Sequence, residues 1–215
     1  MREKLKIICM SMLVFLTTIS LNGCIDRNEE LDQYSAEDSW TFDFPIMQDH
    51  DPAQSFIPSL RKLTRIELKL EKQGDPGYIN VSIKKNLYDV DLVSVQKESN
   101  SLPSSTNWIS FDLEDITLIP GNTYFIVCKS NSGVIENYIK WRGSDNDFYT
   151  NGHGWKYDPM TGLWDDRPDT DFCFKTYGSK GINLIEYQHS PIFKFLSYYP
   201  RTYELIEQMI LSIDQ

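Results

Sequence analysis

Apolar and polar residues alternate strictly along Arg65-Ile66-Glu67-Leu68-Lys69-Leu70-Glu71. That period of two turns Ile66, Leu68 and Leu70 to one side and the charges to the other, the mark of a half-buried strand. The turn sequence Gly74-Asp75-Pro76-Gly77 follows, and Ile79, Val81 and Ile83 then repeat the alternation. Ile109, Phe111 and Leu113 repeat it again before Pro120-Gly121, a type II turn signal. Thr123–Cys128 is apolar on both faces and predicts a central strand, with Tyr138–Arg142 and Phe172–Tyr177 as further strands. Short strands punctuated by Gly, Pro and Asn, with no long helical period, predict a mainly β domain over 40–178, an antiparallel two-layer β-sandwich.

Both ends of the chain read differently. After Gly178, Ile182, Ile185, Ile192, Phe195, Leu196 and Tyr199 precede Pro200, and Tyr203, Ile206, Met209, Ile210 and Ile213 follow it. The spacing of three to four after Pro200 predicts a short amphipathic helix, so 179–215 reads as a linker and helical tail. It is expected to cover the sandwich or to meet a partner. At the other end, Arg2, Lys4 and Lys6 lead into an apolar run from Ile7 to Leu21. At about 1.5 Å per residue in a helix, this run falls short of a hydrocarbon core about 30 Å thick. It closes on a small residue before a cysteine, Leu21-Asn22-Gly23-Cys24, which resembles the lipobox of prokaryotic lipoproteins. The resemblance implies that 1–23 is a signal peptide and that Cys24 becomes a lipidated N-terminus; the alternative is an uncleaved anchor. The polar, acidic stretch 24–39 reads as a flexible tether. Both readings place the rest of the chain outside the cytoplasm, at a membrane.

Charge narrows the partners. The chain holds 21 basic and 31 acidic side chains; three basic and one acidic fall in 1–23, so the remainder carries 18 against 30, a formal charge of −12. Such a chain is a poor nucleic-acid binder, and anionic lipid headgroups repel it, so a lipid serves as anchor where charge would not. With Cys9 in the leader and Cys24 assigned to lipid, Cys128 and Cys173 remain. In an oxidising compartment they form either a disulfide or a pair of buried thiols.

In order along the chain stand Ala53-Gln54-Ser55-Phe56-x-Pro58, Leu63-Thr64-x-Ile66-x-Leu68, Gly74-x-Pro76-Gly77, Pro120-Gly121-x-Thr123-Tyr124, Asn151-Gly152 and Phe174-x-Thr176-Tyr177-Gly178. This order resembles a jelly-roll module of archaeal and bacterial secreted and surface proteins, similar in outline to carbohydrate-binding modules. The resemblance covers about 40–178. It consists of turn glycines and core alternation, so it implies a jelly-roll sandwich without bringing a catalytic motif.

Candidate chemistry concentrates between Tyr138 and Asp171. Tyr149, Trp155, Tyr157 and Trp164 offer flat faces for a sugar ring, and Asn151 with the interleaved aspartates offers partners for its hydroxyls. The competing reading is structural: Trp141 belongs to the core, while Trp155 and Trp164 pin a loop and Tyr157–Trp164 closes a hairpin. Asp145 and Asp147 offer hard oxygens for a structural Ca²⁺, although the spacing is not that of an EF-hand. His50, His153 and His189 match no zinc spacing, and no nucleophile elbow or phosphate-binding loop occurs, so enzyme readings rank last. Asn80-Val81-Ser82 is a glycosylation sequon whose Asn80 points away from the core. Together these features predict a lipid-anchored, non-catalytic surface protein that binds a neutral glycan or another envelope component. The alternative is a structural envelope lipoprotein that meets a partner protein through its tail.

Overall fold

The computed structural model describes residues 29–39, 44–46, 49–131 and 136–180. The expected signal peptide, Cys24 and nearly all of the tail lie outside the described residues. The strands, in chain order, are β1 (Glu30–Ser35), β2 (Phe44–Ile46), β3 (Pro52–Phe56), β4 (Lys62–Gln73), β5 (Tyr78–Lys84), β6 (Val93–Glu98) and β7 (Asn107–Thr117). They continue with β8 (Tyr124–Ser130), β9 (Tyr138–Trp141), β10 (Gly143–Ser144), β11 (Gly154–Asp158), β12 (Leu163–Arg167), β13 (Asp171–Phe172) and β14 (Phe174–Ser179).

Two six-stranded antiparallel sheets face each other. The first runs β1-β14-β4-β9-β2, with β7 on the free flank of β4; the second runs β12-β11-β3-β8-β5-β6. A small ladder of β10 with β13 lies beside them. The chain changes sheet at nearly every connection, so both contribute to one core. Ile66, Leu68, Leu70 and Phe111 of the first sheet and Phe56, Ile79, Val81, Ile83 and Ile126 of the second are fully buried together. The strict alternation of β4 and β5 produces this arrangement, and β8 occupies the interior position its two apolar faces require. Trp141 stacks on Phe172 at 4.5 Å, and its Nε1 donates to the carbonyl of Cys173, so it belongs to the core as its strand position implies. Gly178 faces the Lys62 backbone, where an added Cβ would sit 1.8 Å from the carbonyl oxygen.

The expected tether needs correction. Residues 30–35 are not a spacer but the edge strand β1, paired with β14. Their sequence lacks apolar alternation because their polar side chains bond to the body. The Asp32 carboxylate accepts from the Ser59 and Leu60 amides and the Ser59 hydroxyl. Glu29 pairs with Arg65 at 2.8 Å, and Asp38 with Lys69 at 3.0 Å. The disulfide expectation is also corrected. Cys128 and Cys173 are both free and buried. Cys128 faces the core from β8, and the Cys173 thiol donates to the Glu37 carbonyl beside the first sheet. Burial pushes both thiols up, Cys173 to about 12, which keeps them protonated small hydrophobes.

Candidate functional site

The outward face of the second sheet gathers the chemistry. Residues two apart on a strand share a face, and paired residues on neighbouring strands lie side by side. Trp155 stands opposite Asp166 on β12 and Ala53 on β3; Ala53 stands opposite Val127, and Val127 opposite Ser82. The adjacent row runs Trp164, Tyr157, Asp51, Lys129, Asn80, Gln96, with Asp51 immediately before β3 and the others each on a strand. On β5 and β8 these positions alternate with core-facing ones, Ile79, Val81 and Ile83 and Tyr124, Ile126 and Cys128.

At the β11–β12 side the face is aromatic. Trp155 meets Phe125 edge-on at 6.0 Å and stacks on His153 at 5.1 Å; Tyr157 and Trp164 lie 5.6 Å apart. Ala53, Leu87 and Val127 form the apolar floor beneath them. The loop after β5 supplies Leu87, and the Tyr88 hydroxyl accepts from the Trp164 amide at 3.2 Å. Trp155, Tyr157 and Trp164 stay half-buried, with part of each side chain open to solvent. The Trp155 indole Nε1 is buried without a hydrogen-bond partner. An unmet buried indole N–H costs roughly 1–3 kcal/mol, so this face carries an unsatisfied donor beneath its surface. His153 Nε2 lies 2.6 Å from Asp166 Oδ1, an ion pair when the imidazole is protonated.

Farther along the same row the face becomes polar. A cleft of 420 Å³ is lined by Asp49, Asp51, Tyr78, Asn80, Gln96 and Lys129, with Ser130 and Asn131. Burial raises the carboxyl of Asp51 above the ordinary aspartate range, and the Lys129 ammonium, 3.1 Å away, only partly offsets this. Asp49 has a left-handed backbone, φ 63°, which aspartate tolerates better than most side chains. The cleft thus offers amides, carboxylates and one ammonium, with both donors and acceptors at hand.

The predicted site residues divide accordingly. Trp155, Tyr157 and Trp164 come together on one face. Tyr149 does not join them: it is buried in the core, edge-on to Phe174 at 5.1 Å, and its hydroxyl donates to Gln33 and accepts from the Ile57 amide. Burial pushes its phenol up to about 12. Asn151 is exposed on the turn before β11 and does not line the cleft. Asp145 and Asp147 are exposed on a bend, and no group of three or more His, Cys, Asp or Glu suited to a metal occurs among the described residues. Leu87, Tyr88, Phe125 and the whole cleft escaped the sequence reading. The outward polar positions of β5, β6 and β8 carried a usable signal, because Asn80, Gln96 and Lys129 interrupt apolar strands with side chains able to hydrogen-bond. No protein-family model matches this chain, and no curated protein matches it in sequence.

Proposed function

We propose that this chain is a non-catalytic surface protein, held to a membrane by lipid on Cys24, that binds a neutral glycan across the outward face of the second sheet. On this reading the sandwich is a jelly roll. One observation carries the proposal: the half-exposed rings of Trp155, Tyr157 and Trp164 and a polar cleft share one side of one sheet. Half-exposed rings stack on the apolar face of a sugar, and the cleft side chains take its hydroxyls. Within the cleft Lys129 is already paired with Asp51, which favours an uncharged ligand over an anionic one.

Glycan-array binding with the purified chain tests this. Trp155→Ala should cut affinity for the bound glycan at least tenfold, about 1.4 kcal/mol, and Trp164→Ala should weaken it as well. Both variants should keep the far-ultraviolet β signature. Undiminished binding by folded Trp155→Ala, or no binding to any neutral glycan by the parent chain, would overturn the proposal.

A further inference from the structure

We infer that the end of the sandwich from which both described termini depart is a docking surface for a zwitterionic lipid bilayer. The inference rests on membrane attachment at or just before Cys24, by lipid or by an uncleaved leader, and is independent of the glycan reading.

Strand registers define this end. Glu30 opens β1 opposite Gly178, and Lys62 opens β4 opposite Ser179 and Thr117. The second sheet ends at the same place, where Phe56 faces Tyr124 and the two sheets are joined by 57–61 and 118–123. Those connections are tied together: the Leu118 amide donates to the Arg61 carbonyl and the Gly121 amide to the Pro58 carbonyl. The loop between β5 and β6 leaves from Lys84 and returns at Val93 here too.

Only residues 25–29 separate Cys24 from β1. A chain reaches at most about 3.5 Å per residue, so Glu30 stays within roughly 20 Å of Cys24, or roughly 30 Å of Leu21 if the leader is the anchor. The corrected start of the fold therefore brings this end close to the bilayer rather than holding it away. Four exposed apolar side chains from three separate segments belong to the same end: Leu31 on β1, Val90 (84% exposed) and Leu92 in the β5–β6 loop, and Ile119 (59% exposed) after β7. Scattered exposed apolar residues are ordinary, but their occurrence at the end with the short leash suits the headgroup–acyl boundary. The chain's net charge of −10 excludes an anionic bilayer as the preferred surface. The Gln73–Tyr78 turn and the Asp158–Leu163 hairpin mark the opposite end, nearer the cleft. Docking would present the cleft away from the membrane.

The test uses the full chain reconstituted in phosphatidylcholine vesicles that contain doxyl-labelled lipid. Val90→Cys, Ile119→Cys and Met160→Cys each receive a polarity-sensitive fluorophore; Met160, 95% exposed, tips the far hairpin, and the native Cys128 and Cys173 are buried. Flotation with the vesicles, with doxyl quenching at 90 and 119 roughly twofold or more above that at 160, is the expected result. Flotation with equal quenching at all three positions, or with none at 90 and 119, overturns docking and leaves the attachment standing. A chain that fails to float overturns both.

Discussion

The two outward faces of the sandwich use similar residue types to opposite ends. On the first sheet, β4 turns Arg65, Glu67, Lys69 and Glu71 outward, and each finds an opposite charge: Glu29 and Glu67, Lys175, Asp38, and Lys140. Two of its aromatic rings carry a cation, although Tyr34 on β1 is exposed. The Arg65 guanidinium lies 3.6 Å from the Tyr177 ring centre, and the Lys175 ammonium 4.1 Å from that of Trp108. On the second sheet the rings of Trp155, Tyr157 and Trp164 meet other rings and remain partly open; a buried indole N–H has no acceptor, and a polar cleft opens beside the Asp51–Lys129 pair. Aromatic and charged content therefore does not distinguish a binding face from a structural one. Prior engagement does: groups that satisfy one another leave nothing for a ligand to gain.

The largest expected effect tests the closed face. Glu67 accepts from Arg65, Lys175 and the Tyr177 hydroxyl. These groups are about one-fifth exposed, which screens but does not remove their interaction. Glu67→Ala should lower unfolding free energy by about 1–2 kcal/mol, read as a lower urea midpoint with an unchanged slope. Glycan affinity should stay at the parent level. A fall in affinity without a fall in stability would reverse the assignment of the two faces.

What could be read from the sequence follows from how far apart the interacting residues lie. The inward sets Ile66/Leu68/Leu70 and Ile79/Val81/Ile83 are encoded within single strands, by alternation alone. The Tyr157–Trp164 hairpin is also local: the Asp158 carboxylate accepts the Met160 amide, and Gly162 takes the left-handed φ of 72° that closes the turn. β1 was hidden because Asp32 finds its partners at Ser59 and Leu60, far along the chain. Tyr149 misled for a related reason. A ligand-facing tyrosine and a buried one whose hydroxyl reaches Gln33 present the same local sequence. The cleft was least legible of all, since residues 49–51, 78–80, 96 and 129–131 become neighbours only after β3, β8, β5 and β6 have paired.

A smaller effect sharpens the open face from beneath. Ser82 points outward from β5 beside Val127 of the apolar floor, and its buried hydroxyl has no hydrogen-bond partner. Ser82→Ala should be neutral or raise stability by up to about 1 kcal/mol, since it removes an unmet polar group. It also destroys the Asn80-Val81-Ser82 sequon. In a glycosylating host the parent chain modified at Asn80 should have an occupied cleft and lose glycan binding, and Ser82→Ala should restore it. Equal binding by modified and unmodified chains would move the ligand off the Asn80 end of the face.

The last test separates the faces by protonation, with effects read as directions. Burial opposes charge on Glu67, but hydrogen bonds from Lys175, Arg65 and Tyr177 outweigh it and hold the carboxyl below the ordinary glutamate value. Asp38 is held low in the same way, against burial, by Arg142 and Lys69. Such groups stabilise the fold above their unfolded pKa, and that contribution is lost as pH falls through the folded one. Asp51 has the opposite sign: burial raises it, so its ionised form costs stability above the folded pKa, and acidification relieves the cost. On lowering the pH, Asp51 should therefore protonate first and release Lys129 while the Glu67 and Asp38 networks still hold the sandwich. Carboxyl ¹³C titration should show Asp51 changing at a higher pH than Glu67, and glycan affinity should shift before the unfolding transition. If Glu67 titrated first, or affinity fell only with the fold, the cleft would be as self-contained as the opposite face and would not be a binding site.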